Sequence, residues 1–148
     1  MLLTMLPIYI KRLDPRAVLP AYQTSGSAAF DLSLIEDVTI PARSFVKVRT
    51  GLVIQIPEHH VLLIAARSSS PVKKGITMAN GTGIIDSDYC GPEDEIFLLL
   101  ENLRDEPVHL QAGDRVCQAL VVPVLQGIIQ EVQELTGPNR GGHGSTGQ

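Results

Sequence analysis

Four short stretches of this chain carry side chains that could do chemistry together. The first is Ala66-Arg67-Ser68-Ser69-Ser70, where three hydroxyls, a guanidinium and the amides of a helix start would make an anion-binding site. A capped turn beside an exposed arginine fits the same residues. The second runs from Asn80 through Gly83, Ile84 and Ile85 to Asp86-Ser-Asp88-Tyr89. Its Asn-Gly pair suggests a hairpin, and its two carboxylates share a face if the strand continues. That arrangement suits metal-water binding or a base beside its support, and it equally suits a polar strand end in solvent. The third, Gly113-Asp114-Arg115-Val116-Cys117-Gln118, is a turn leading into a buried strand, where the charges could pair with each other or with neighbours. The fourth is the tail Arg140-Gly-Gly-His143-Gly144-Ser145-Thr146, whose glycines let backbone amides approach a phosphate closely. Such tails are also often simply disordered.

The elements that must position these groups are strands. From Val46 to Ile56 the even positions are Val, Val, Thr, Leu, Ile and Ile, which predicts one strand with one buried face. Further strands are expected at Ile8–Arg12, Asp31–Leu34, Val61–Ala65, Ile96–Glu101, Val108–Leu110 and Gln118–Val124. The runs Leu62-Leu63-Ile64 and Phe97-Leu98-Leu99-Leu100 read as buried on both faces. Thirteen glycines and ten prolines punctuate the chain at short intervals, the pattern of a sandwich or barrel. Only Ser70-Pro71-Val72-Lys73-Lys74-Gly75 suggests a helix, with Ser70 as cap and Gly75 as stop. Residues 137–148 are too poor in apolar groups to fold alone.

Composition narrows the function. Apolar residues make up 44% and charged residues 19%, as in a single globular domain. A net charge of -4 gives no field for gripping a nucleic-acid backbone, so no nucleic-acid partner is expected. No apolar run is long enough to span a bilayer, so no membrane partner is expected either. Cys90 and Cys117 lack metal-ligand spacing and read as two structural thiols in a reducing, cytoplasmic compartment. The apolar start reads as a first strand, because it lacks the positive region and cleavage site of a secretion signal. His59, His60 and His109 belong to no motif and read as surface or satisfied histidines.

In combination and in order, the segments resemble the five motifs of the trimeric deoxyuridine triphosphatase family. Tyr22-Gln-Thr-Ser-Gly-Ser-Ala-Ala-Phe-Asp31-Leu looks like the first and Ala66-Arg67-Ser68-Ser69 the second. Gly83-Ile-Ile-Asp86-Ser-Asp-Tyr89-Cys-Gly91, with Asn80 before it, looks like the third. Gly113-Asp-Arg-Val-Cys-Gln118 resembles the fourth and Gly142-His-Gly-Ser-Thr-Gly147 the fifth. The resemblance covers nearly the whole chain, and the third motif is the most specific part of it.

The resemblance implies an all-β, jelly-roll-like β barrel of the β-clip type over residues 1–136. A flexible Gly-rich arm, 137–148, would close over an active site. It implies a homotrimer with shared sites that hydrolyses dUTP to dUMP and pyrophosphate with Mg2+. That reaction would limit uracil incorporation into DNA and supply dUMP for dTMP synthesis. Asp86 would be the general base for water attacking the α-phosphorus, and Gln118 would help hold that water. Asp31 would bind the metal through water. Arg67, Ser68 and Ser69 would grip phosphates, while Asn80 and the Gly83, Ile84 and Ile85 backbone would read the uracil edge. Tyr89 would lie against the deoxyribose and exclude a 2'-hydroxyl. Arg140, His143, Gly144 and Ser145 would close over the bound nucleotide.

Three departures mark this chain. His143 stands where the family usually has a stacking Phe, and Arg140 lies three residues before it instead of five. Pro92-Glu93-Asp94 looks like an insertion after the third motif. The related dCTP deaminases usually carry Pro-Gly-Phe where Ser87-Asp88-Tyr89 stands here, which argues against deamination. A non-catalytic nucleotide sensor would be signalled by loss of Asp86 or Tyr89 or by a degraded tail; Asp86 and Tyr89 are present, and only the tail deviates.

Overall fold

A computed structural model describes residues 5–142. Eleven strands form within them: β1 (Tyr9–Arg12), β2 (Phe30–Ser33), β3 (Val38–Ile40), β4 (Phe45–Arg49), β5 (Leu52–Gln55), β6 (His60–Ala66), β7 (Ile76–Met78), β8 (Thr82–Asp86), β9 (Phe97–Asn102), β10 (Val108–Leu110) and β11 (Arg115–Pro123). All pairings are antiparallel. They group into four ladders, β1-β5, β3-β10, β2-β11-β6-β8 and β4-β9-β7.

The ladders surround one core. Leu32, Ile40, Leu52, Ile54, Leu62, Ile64, Ile76, Leu98 and Leu100 come from different ladders and are fully buried together. Each such side chain contributes roughly 1.5–3 kcal/mol by leaving water. This is the all-β arrangement expected from the alternating pattern and the jelly-roll-like form that the family resemblance implies, with short sheets curled round a shared interior.

The stretch 46–56 is two strands, not one. Its even positions do point inward, but the chain bends at Thr50-Gly51, where Gly51 has φ +68. A Cβ there would lie 2.9 Å from that of Ala17, so glycine suits both the conformation and the space. The turn at Asn80-Gly81 also forms, with the Gly81 N–H donating to the Met78 carbonyl at 3.0 Å. Its arms are not a paired hairpin, however: β7 joins β9 and β8 joins β6.

Residues Ser70–Lys74 make a single π-helical turn ended by a left-handed Gly75. Ser70 is not its cap. The buried Ser70 hydroxyl donates to the Val116 carbonyl at 2.9 Å and ties this turn to β11. Strands β3 and β7, three residues each, were not among the expected strands. The expectation of two buried faces also fails. Leu63 and Leu99 are half-buried and Phe97 is exposed.

Candidate functional site

The register of the four-stranded sheet fixes where the functional side chains stand. Across it, Asp31, Gln118, Ala65 and Thr82 lie in one row. Two residues on, Leu120, Leu63 and Ile84 form the next row, and then Val122, Val61 and Asp86. Side chains two apart in a strand share a face, so all three rows face the same way. Phe30, Ala119, Ile64 and Gly83 occupy the opposite, buried face. The outward face therefore carries polar groups at both ends and apolar ones between them, with Ile84 67% exposed.

At one end Asp31 is the hub. The Arg67 Nε lies 2.7 Å from Asp31 Oδ1, and an Arg115 Nη lies 3.1 Å from Asp31 Oδ2. The Arg67 guanidinium also donates to the Arg115 carbonyl at 3.3 Å, and Gln118 donates to the Ala66 carbonyl at 3.1 Å. Ser68 is exposed and Ser69 half-buried where the chain leaves β6. Two guanidiniums are thus collected on one carboxylate, with Ser68 and Ser69 following Arg67 in the chain, a set of groups suited to phosphate oxygens. Arg115 belongs to this cluster, although its position in the sequence left its partner open. Asp114 instead pairs with Lys74 at 2.9 Å. Burial would raise the Asp114 carboxyl, but Lys74 and the Gln111 N–H outweigh it and hold the group below its ordinary value.

At the other end, Asp86 is the last residue of β8 and is exposed. The strand does not continue to Asp88: the chain turns, and the Tyr89 N–H donates to the Asp86 carbonyl at 3.1 Å. Asn80, Ile84, Ile85, Asp86 and Tyr89 line one hollow of about 480 Å³, together with Lys47, Glu95, Ile96, Phe97 and Leu99. Lys47 and Phe97 had no signal in the sequence beyond strand alternation; the ammonium lies 4.0 Å from the ring centroid. On its other side Asp86 borders a wider cleft of about 800 Å³ with His59, His60 and Asp88.

These two groups are not one site within a single chain. Gln118 is opposite Ala65 and Asp86 opposite Val61, on either side of β6. That offset is about 13 Å along the strand and about 10 Å across, so the two Cα atoms are about 16 Å apart. One water cannot contact both side chains of one chain.

Among the described residues, no three His, Cys, Asp or Glu side chains are placed to cage a metal ion. Asp31 nevertheless fits Mg2+, which keeps several waters and is commonly held by one or two carboxylates plus substrate phosphates. The thiols are not redox partners. Cys117 is fully buried and its thiol is pushed up to about 12 by that burial, while Cys90 contacts the Ser87 carbonyl. His109 is satisfied by Thr39 and His60 by the Glu58 carbonyl. Arg140 is exposed on the extended arm, and His143, Gly144 and Ser145 lie outside the described residues.

Among the described residues, no helix is long and apolar enough to cross a membrane. The dUTPase family model matches residues 16–147. Among curated proteins, the chain is 42% identical over 144 residues to the deoxyuridine 5'-triphosphate nucleotidohydrolase of Hydrogenobaculum, covering 95% of this chain and 97% of that one. It is 42% identical over 143 residues to the protein of the same name from Wolinella succinogenes, covering 95% and 94%. Among solved structures, the Staphylococcus bacteriophage 80alpha dUTPase with dUPNHPP superposes with a TM-score of 0.84 at 21% identity, over 95% of this chain and 98% of that one. A mutant dUTPase from phage phi11 of S. aureus, solved for the coordination of a structural Mg(II) ion, gives 0.79 at 19% identity, over 88% and 99%.

Proposed function

The chain belongs to the dUTPase family, and from that premise we propose how its residues hydrolyse dUTP to dUMP and pyrophosphate. Asp86 takes a proton from a water as that water's oxygen attacks the α-phosphorus. The new P–O bond forms as the bond to the bridging oxygen of the β-phosphate breaks, and pyrophosphate leaves. The observation that carries this reading is the gathering of Asn80, Ile84, Ile85, Asp86 and Tyr89 round one nucleoside-sized hollow.

Asn80 and the Gly83–Ile85 backbone offer hydrogen bonds to the uracil edge. Cytosine, with donor and acceptor reversed there, would leave buried groups unpaired. Tyr89 closes the hollow against the sugar and leaves no room for a 2'-hydroxyl. Arg67, Ser68 and Ser69 hold the phosphate oxygens, and Gln118 orients the attacking water. Mg2+, bound with the triphosphate and held through its waters by Asp31, would supply charge neutralisation for the leaving group. Arg140 and the tail residues His143, Gly144 and Ser145 close over bound nucleotide and exclude bulk water. In a cytoplasmic setting the product dUMP would feed dTMP synthesis, and hydrolysis of dUTP would limit uracil incorporation into DNA.

A homotrimer with shared sites accounts for two observations. The separation of Asp86 from Gln118 is resolved if the two come from different subunits. A second copy would also cover the apolar outward face of the four-stranded sheet. The arm after β11 supports the same assembly, with Leu125, Ile128, Ile129 and Leu135 each 86% exposed or more. Left uncovered, each side chain forgoes roughly 1.5–3 kcal/mol of burial.

Pyrophosphate release from dUTP, UTP, dCTP and dTTP, measured in parallel with Mg2+ and with products identified, tests the proposal. Release from dUTP alone, giving dUMP, is the expected result. Binding of dUTP without release would overturn it in favour of a sensor, and deamination of dCTP would place the chain in a neighbouring activity.

A further inference from the structure

Tyr89 and Glu95 both line the hollow, and the Tyr89 hydroxyl is not free. It donates to the backbone carbonyl of Glu95 at 3.1 Å, so the ring is tethered at both ends, by its own backbone and by this bond. The tilt of the ring is therefore set by whatever fixes residue 95.

What fixes it is a buried carboxylate. The Glu95 side chain is only 7% exposed. One of its oxygens accepts the Gly51 N–H at 2.8 Å, and both accept the Arg49 Nε at 3.1 Å. The next residue is bound to the same bend from the other side. The Ile96 N–H donates to the Leu52 carbonyl at 2.8 Å, and the Thr50 hydroxyl donates to the Ile96 carbonyl at 2.6 Å. Arg49 is in turn 3.8 Å from Asp14. The hydrogen bonds from Arg16 hold the Asp14 carboxyl well below the usual carboxylate range, so it stays charged beside Arg49. Such a bolt is possible only because the predicted long strand breaks at Gly51: a continuous strand would spend that N–H on a ladder.

We infer that Glu95 is a positioning residue for sugar selection: its carboxylate, anchored on Gly51 and Arg49, fixes the carbonyl that holds the Tyr89 hydroxyl, and so sets how closely the ring approaches the 2'-position. The inference rests on the reading of Tyr89 as the wall against a 2'-hydroxyl. The Glu95 carboxylate is engaged by Arg49 and Gly51, and the role assigned to it is exerted through Tyr89. The stretch Pro92-Glu93-Asp94 is accommodated without disturbing the link, since it bonds to itself and to Lys11, whose ammonium donates to the Pro92 carbonyl at 2.8 Å. The Gly91 N–H donates to Asp94 at 2.7 Å and the Glu95 N–H to the Glu93 carbonyl at 2.8 Å.

The readout is the ratio of kcat/KM for dUTP to that for UTP, measured on assembled protein of Glu95→Ala, Tyr89→Phe, the double variant and Tyr89→Ala. Glu95→Ala and Tyr89→Phe should each lower the ratio on the order of tenfold. The double variant should be no worse than either, because both cut the same link. A ratio unchanged in both single variants, with kcat/KM for the two nucleotides falling by a common factor, would reduce Glu95 to a structural role. Should Glu95→Ala not assemble, Tyr89→Phe decides alone, since loss of the hydroxyl leaves the ring and the bend in place. Tyr89→Ala separates the two readings. If it leaves the ratio intact, the wall itself is misassigned. If it lowers the ratio while Tyr89→Phe and Glu95→Ala do not, the wall stands and the tether is overturned.

Discussion

Asp31 and Asp86 are both carboxylates on the outward face of one sheet, yet their surroundings suit them to different work. Asp31 is 12% exposed and sits under two guanidiniums, which hold it in place. Asp86 ends its strand in the open and, among the described residues, has no ion pair or side-chain hydrogen bond. A base must be able to reach a water and accept its proton, and only Asp86 has that freedom. Asp86→Asn should therefore bind dUTP with affinity close to that of the parent while turnover falls by about 10²–10⁴-fold. Calorimetry with a non-hydrolysable analogue and single-turnover assays separate the two, and near-parental hydrolysis would remove Asp86 from the role. Residue types were the legible part of the site, because carboxylate, guanidinium and amide chemistry is local to each motif. Partners were not. That Arg115 joins Arg67 on Asp31, and that Tyr89 is held by Glu95, depends on strand register and on a loop closing, neither of which leaves a trace in neighbouring residues.

At the scale of elements, period-2 alternation revealed which way side chains point better than where strands stop. The even positions of 46–56 are inward throughout, but a strand and a bent strand have the same alternation, and only the left-handed Gly51 distinguishes them. The Asn80-Gly81 turn was equally legible, whereas the divergence of its arms is decided by β6 and β9, which compete for them as partners. The segment after β11 divides in two by composition. Its apolar side chains end at Leu135, and the residues beyond are largely Gly, polar and charged. In the proposed assembly the apolar surface to be buried is accordingly upstream of residue 137, and the proposal leaves the last residues for the nucleotide. Deleting Arg140–Gln148 should slow dUTP hydrolysis while sedimentation shows the oligomer unchanged; dissociation of the shortened protein would contradict the view of the tail as a lid.

For the molecule as a whole, the proposal of shared sites rests on geometry before it rests on hydrophobicity. Residues about 16 Å apart in one chain can serve one water only if copies share them. Two inactive variants, Asp86→Asn and Gln118→Ala, should then restore activity when unfolded and refolded together. In randomly mixed trimers about one site in four would draw both intact residues from different chains, giving up to about a quarter of parental activity. Mixtures no more active than the separate variants would mean that Asp86 and Gln118 do not serve one site. The face proposed for assembly was out of reach of the sequence pattern because an outward row such as Leu120, Leu63 and Ile84 looks, in one dimension, like ordinary core. The position of β11 has a further consequence, for synthesis. The last strand to be made lies between β2, among the first, and β6. As a chain emerges from the ribosome, β2 must wait with an open edge until residues 115–123 are free, and no shorter nascent product can complete this sheet. Any message cut short before that point yields a polypeptide with two unsealed edges, a substrate for proteases and chaperones and not a partly working enzyme.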